Sequence, residues 1–233
     1  MMIIILNVKG GSHSAWRLVW RKDYDRHPER IEEMGHARES KVETHEKIVG
    51  TAAKRLREVG LQGIGVADLM KEVGLTVGGF YKHFNSRDGL VAEALDAMKN
   101  GWDATFAEAE ERGRGDEALF DALVDRYLDV AHRDRPGDGC LFAALSSDLA
   151  RSGDEARDVA TRKLERVIAR LAQVFRDRRA KAARVTAIFV YSALVGAVSL
   201  ARATNDEALS REILSSVRKV LKKTMRPERR SDL

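Results

Sequence analysis

Apolar residues return at helical intervals along most of this chain. Ile48, Ala52, Leu56 and Val59 fall at i, i+4, i+8 and i+11, which makes one stripe of a helix that Gly60 should end. Val66, Leu69, Met70 and Val73 form the inner face of a second, shorter helix that stops at Gly74. Thr76 offers a hydroxyl to cap a third helix from Val77 to about Phe84. After the break at Asn85-Ser86, Ser86 can cap a fourth helix beginning at Arg87, whose stripe runs through Leu90, Ala94, Leu95 and Met98. Longer helices are expected over 102–112, 117–133, 141–151, 154–178, 180–203 and 207–225, with Gly, Pro, Ser or Asn breaks between them. No alternating strand pattern competes after residue 40, so the fold class is all-α, a small N-terminal bundle followed by a larger one.

Residues 1–38 differ in character, with two of the chain's three Trp residues and a Gly10-Gly11 break, and they sustain neither period. They are expected to be a poorly structured extension reaching to residue 40, with the native start near Met34. The remaining boundaries are expected at 41–99 for the first bundle, 100–225 for the second, and 226–233 for a basic tail.

Composition narrows the class. The chain has 233 residues, 44% apolar and 33% charged, with a net charge of +5, a balance that suits globular helices rather than disorder. Acidic residues are interleaved with the basic ones, so a polyanion would meet a local basic face rather than a uniformly basic surface. The lone Cys140 excludes an intrachain disulfide and a thiolate zinc cluster, which fits a reducing cytoplasm. Met1 to Val8 is apolar but lacks the basic leading segment of a secretory signal. The apolar run Ala187–Ala203 is shorter than the ~20 residues of a membrane span and carries Tyr191, Ser192, Ser199 and Arg202. A buried helix is the expectation there, with no membrane partner.

The segment from Leu69 to Val91, LMKEVGLTVGGFYKHFNSRDGLV, is too rich in glycine and hydrogen-bonding groups for a core helix. Two short helices joined through Gly74 have the form of a helix-turn-helix, whose second helix must lie in a groove of DNA. Gly78 and Gly79 let backbone approach a phosphate, Tyr81, Lys82 and His83 present polar groups, and Phe80 and Phe84 pin the helix from behind. Backbone amides near Thr76 and Arg87 suit phosphate as well.

The run from Lys47 to Leu95 resembles the DNA-binding domain of the TetR/AcrR family of bacterial transcriptional regulators. The resemblance is carried by an Ala-rich first helix closing on REVG (Arg57–Gly60), by EVGLT (Glu72–Thr76) and above all by GGFYKHFNSRDGLV (Gly78–Val91). It implies a DNA-facing set of Thr76, Val77, Gly78, Gly79, Tyr81, Lys82 and His83, with Arg87 holding a phosphate. The chain departs from the family at Gly65-Val66, where Thr or Ser is common, so a side-chain cap is expected to be missing there.

Ala180–Ala203 is apolar on nearly every face, and Glu207–Met225 supplies a second stripe through Leu209, Ile213 and Val217. One side of this pair is expected to meet a second copy, and in the resembled family the last two helices form such an interface. A homodimer then reads a palindromic double-stranded DNA operator through two half-sites. The family also places a small-molecule effector in the second bundle, where Trp102, Phe106, Phe120, Tyr127, Leu141, Phe142, Leu145, Leu171 and Phe175 are candidate lining residues. Cys140, at the start of a helix in GDGCLFAAL, is a candidate thiol sensor, with a small buried hydrophobe as the plainer role. The basic run Arg218–Arg230 could touch DNA or be a solvated helix end. No metal-ligand cluster, phosphate-binding loop or nucleophile motif is visible, and His132 and Asp148 stand isolated in sequence, so no cofactor, metal or catalytic residue is expected. The expected function is an effector-released repressor. The alternative is a DNA-organising or adaptor protein on the same fold.

Overall fold

The computed structural model describes residues 3–8, 15–20, 28–99, 102–112, 115–176 and 178–227, with side-chain surroundings from residue 40 onward. These divide into two compact units, residues 1–47 and 48–233.

The first unit departs from the expected unstructured extension. Ile3–Val8 (β1) and Ala15–Trp20 (β2) pair antiparallel, with Ile3 opposite Trp20 and Val8 opposite Ala15. The strands are built from β-branched and aromatic residues in short apolar runs, and propensity there does what alternation does not announce. Helix α1 spans Pro28–Val59 rather than starting near residue 42. Its first residue is a proline, whose missing N–H costs nothing in the first turn, and Glu29, Glu32 and Glu33 follow. Met34 lies within this helix.

The second unit is helical throughout its described residues. After α1 come α2 (Val66–Glu72), α3 (Val77–Phe80), α4 (Arg87–Ala97), α5 (Asp103–Glu111), α6 (Asp116–Tyr127), α7 (Val130–Asp134), a 3-10 turn (Pro136–Asp138), α8 (Leu141–Leu149), α9 (Asp154–Gln173), α10 (Ala180–Ala203) and α11 (Glu207–Thr224). The single helix expected over 117–133 is broken at Leu128-Asp129, because the Asp129 carboxylate accepts from Ala131 N at 2.7 Å and starts α7 afresh. The helix expected to reach residue 178 ends at Gln173.

Two apolar clusters fill this unit. One holds the inner faces of α1–α4 and, with them, Leu141, Leu145 and Leu149 of α8 and Ala156, Val159 and Ala160 of α9. The boundary expected at residue 99 is therefore crossed by a continuous core. The other joins α5, α6, the C-terminal half of α9, α10 and α11 around Phe120, Phe175, Val190 and Leu194. Helix α10 is long and apolar enough to span a membrane, but Ala183, Ala187, Val190, Tyr191, Leu194, Ala197, Val198 and Ala201 are buried in this core.

Phe80 is 1% exposed and sits on Phe84 with ring centroids 5.3 Å apart. Truncating it leaves a cavity that the surrounding helices cannot close, so Phe80→Ala should cost about 3–5 kcal/mol of unfolding free energy in a urea titration.

Candidate functional site

Helix α2 ends in a Schellman motif: Leu75 N donates to Met70 O at 2.8 Å and Gly74 N to Lys71 O at 3.1 Å, with Gly74 at φ +79°. That left-handed residue turns the chain into α3. Helix α2 begins at Gly65 with no side-chain cap, as expected from the departure at that position. Thr76 stands at the N-cap of α3 but makes no side-chain capping bond, which corrects the role assigned to its hydroxyl. Helix α3 is one turn long, and Tyr81, Lys82 and His83 continue it as a turn rather than as a regular helix to residue 84.

The outward row of this segment is Thr76, Val77, Gly78, Tyr81 and Lys82, with Tyr81 71% and Val77 46% exposed. A Cβ placed on Gly78 would meet open space, whereas one on Gly79 would lie 3.6 Å from Met70 Cε. Gly78 therefore belongs to the outward face, and Gly79 to the contact with α2. His83 is half-buried. Arg87, expected on a phosphate, instead donates to the carbonyls of Leu61 and Ile64, the latter at 3.4 Å. It ties the loop between α1 and α2 to the first turn of α4. Ser86 caps α4 as expected, accepting from Gly89 N at 3.0 Å.

On the far side of the shared core lies a cavity of about 700 Å3, walled by α5, α6, α7 and the turn after it, including Trp102, Thr105, Arg126, Tyr127, His132 and Cys140. A second hollow of about 380 Å3 opens beside it, with Leu141, Phe142, Lys163, Arg170 and Tyr191 in its wall and Cys140 common to both. Trp102 meets Tyr127 and Tyr191 edge to face, at 5.6 and 5.5 Å between centroids. The Cys140 thiol is 3.2 Å from the Tyr191 hydroxyl, and burial pushes the Tyr127 and Tyr191 phenols well above their ordinary range. His132 organises the wall. Its Nδ1 bonds Tyr127 O at 2.6 Å and its Nε2 accepts from Cys140 N at 3.1 Å, so the ring is neutral with its proton on Nδ1. Burial holds His132 below its ordinary value, helped by Arg202 and Arg126 and opposed by the Tyr127 carbonyl and Asp129.

Residues 48–94 match the profile of the bacterial regulatory proteins, tetR family, and residues 117–215 that of the C-terminal domain of LmrA/YxaF-like transcriptional regulators. The uncharacterized HTH-type transcriptional regulator Rv0196 of Mycobacterium tuberculosis is 31% identical over 175 residues, 69% of this chain and 85% of that protein. The chain belongs to the TetR family. It is a helix-turn-helix DNA-binding transcriptional regulator. The HTH-type transcriptional repressor NemR of Escherichia coli is 24% identical over 140 residues, 59% of this chain and 69% of that protein. The fold is shared with the reduced form of E. coli NemR (TM-score 0.61, 20% identity, 78% of this chain and 96% of that one). It is shared also with a TetR-family regulator from Agrobacterium tumefaciens (TM-score 0.65, 19% identity, 77% of this chain and 97% of that one).

For this TetR-family chain the structure sorts the expected cavity residues. Trp102, Tyr127 and Cys140 line the large cavity, and Leu141 and Phe142 line the smaller one. Phe106, Phe120, Leu145, Leu171 and Phe175 lie in the packed core, lining neither. Arg170 stands over the Phe106 ring at 4.4 Å. His132 and Asp148, isolated in sequence, are both central, His132 to the cavity wall and Asp148 as the acceptor of Leu61 N at 2.9 Å. Only their partners in space reveal this, since each is joined to residues the local pattern does not single out. The basic C-terminal residues face the protein's own acids: Lys222 meets Asp125 at 2.6 Å, and Arg226 meets Asp121 and Glu117. Residues 228–233 of the expected tail lie outside the described residues.

Two measurements check this geometry. Because folding lowers the His132 value below its ordinary 6.5, the unfolded chain takes the proton first. Stability held above that value should fall as pH drops below it, and His132→Gln should flatten the melting temperature between about pH 7 and about pH 5. Arg87→Ala should cost about 1–3 kcal/mol in stability while leaving the salt dependence of DNA binding unchanged. A slope reduced by about one unit would place the guanidinium on a phosphate instead.

Proposed function

We propose that this regulator is a cytoplasmic homodimeric repressor that leaves a palindromic operator when a small molecule occupies the large cavity. The observation that carries the proposal is the seam between cavity and DNA-facing helices. Arg57 of α1 donates through Nε to Gly137 O at 2.6 Å, in the turn that leads to Asp138, Gly139 and Cys140 of the cavity wall. Asp148 of α8 caps Leu61 N, and Arg87 takes Leu61 O. A ligand that moves the wall thus acts on α1 and on the start of α4. It shifts the equilibrium only to the extent that it binds the two arrangements differently.

On the DNA side, Thr76, Val77, Gly78, Tyr81 and Lys82 form the contact face, with Gly79 turned toward α2 and His83 at its edge. Val77 can meet a thymine methyl, while Lys82 and the amides at the start of α4 meet phosphates. Few side chains reach base edges, so shape and half-site spacing contribute to operator choice. The dimer reading is supported by a row of exposed apolar residues on α10 and α11. Val185, Ile188, Phe189 and Leu200 continue into Leu209 and Val220, and Phe189 is 53% exposed. A Cβ on Gly196, in the same row, would meet nothing within 4 Å, which leaves room for a second helix to approach. The repressor reading is supported by the similarity to NemR, a transcriptional repressor, and by the fact that occluding a promoter needs no further surface.

Gel shifts on the DNA flanking the gene, with and without candidate small molecules, test the proposal. Sequence-indifferent binding at physiological salt would count against it. Lys82→Ala should weaken binding and lower the salt slope by about one. Phe189→Glu should yield a folded monomer by sedimentation that no longer holds the palindrome.

A further inference from the structure

The cavity wall contains two buried donors with no acceptor. Trp102 is 3% exposed and Tyr127 5%, and among the described residues neither the indole Nε1 nor the phenol Oη has an oxygen or nitrogen partner. Both residues line the large cavity. The Tyr127 phenol shares the Cys140 thiol with the Tyr191 hydroxyl, and a thiol sulfur is only a weak hydrogen-bonding partner. Native interiors rarely leave such groups unmet, and an unmet donor is a defect unless something supplies the acceptor. An indole N–H can only donate, so whatever completes it must bring a lone pair.

Charge narrows the class further. Glu108, Asp125, Asp129 and Asp138 face the same space as Arg126 and Arg135, and the neutral His132 adds nothing positive. Glu108 is paired with Arg112 and Asp125 with Lys222, so Asp129 and Asp138 stand against Arg126 and Arg135 and no net excess of either sign draws a charged ligand in. Edge-to-face packing of Trp102 with Tyr127 and Tyr191 leaves an aromatic, apolar surround for the rest of the ligand.

From these observations we infer that the cavity selects an uncharged, apolar molecule bearing a carbonyl or ether oxygen, received by Trp102 Nε1 and Tyr127 Oη. The inference rests on the cavity being the effector site. It adds the ligand's chemistry and assigns Trp102 and Tyr127 as the residues that read it.

Benzophenone, diphenylmethane, 4-benzoylbenzoate and benzyltrimethylammonium form a test set that varies the acceptor and the charge. Titration calorimetry on the full chain, without DNA, should show benzophenone binding about tenfold more tightly than diphenylmethane and more tightly than either ion. Trp102→Phe and Tyr127→Phe should each weaken benzophenone about five- to tenfold and leave diphenylmethane unchanged. Without any ligand, both variants should melt at or above the wild-type temperature, because each removes an unmet donor while keeping a ring. A lowered melting temperature would show the donors satisfied internally and overturn the inference. So would tighter binding of either ion, equal loss for both uncharged probes, or no binding of benzophenone at its solubility limit. Operator binding measured on the same samples separates the cases: intact palindrome binding with no probe selectivity overturns the ligand class and leaves the regulator standing.

Discussion

The peptide between α1 and α2 is held from three directions, and the rest of the molecule is arranged around it. Gly60 at φ +83° ends α1 by returning its N–H to Leu56 O at 2.9 Å. The next amide, Leu61 N, is taken by Asp148 from α8, and the Leu61 carbonyl by Arg87 from α4. A side chain at position 60 would be strained by its left-handed backbone and would set a Cβ 2.6 Å from Asp148 Oδ2. Buried or half-buried peptide groups outside a helix must find partners. Here the partners come from the DNA-facing helices on one side and the cavity-bearing helices on the other, so both halves meet at Leu61.

The apolar core reinforces the same connection. Leu145 and Leu149 of α8 belong to the same apolar cluster as Leu56, Leu69 and Met70, while Phe142 of the same helix packs against both clusters. Helix α9 does likewise along its length, with Val159 in one cluster and Val167 and Leu171 in the other. Lys163, midway, donates to Asp96 O and Met98 O at 2.6 and 2.9 Å and so caps the C-terminus of α4. Close-packed interiors move as units rather than deform smoothly. In the proposed effector response, a displacement at the cavity wall would be carried to both ends of α4.

The stripes from Ile48 to Met98 made the DNA-facing bundle legible in sequence, because four apolar helix faces with Gly60, Gly74 and Ser86 as punctuation leave few alternatives. The long α10 and α11 were legible for the same reason. What periodicity could not show was pairing in space. Arg87 reads as a surface cation until the Leu61 and Ile64 carbonyls are found beside it, and Asp148 as one of many acids until it meets Leu61 N. Aromatic residues were weak guides to the cavity, since Phe120 and Phe175 fill space while Trp102 and Tyr127 enclose it, and composition is identical for both uses. The hairpin was missed because its signal is residue type over six positions, too short for a period to emerge.

The energies of the seam fit the task of a switch. A hydrogen bond to a charged group contributes roughly 1.5–3 kcal/mol when both partners are available, and coupling between two sites is typically about 1–3 kcal/mol. Losing the Arg57–Gly137 bond, or trading it for another arrangement, is enough to move an equilibrium of that size. Gly137 also lies close against α1, a Cβ there falling 2.6 Å from Glu58 Oε1 and 3.0 Å from Lys54 Cγ. Because the outward face of α3 offers a methyl-bearing valine, a glycine, a tyrosine and one lysine, its hold on a single half-site is modest. In the proposed homodimer, affinity would depend on two such faces being correctly spaced, and a small displacement of the seam would suffice to lose it.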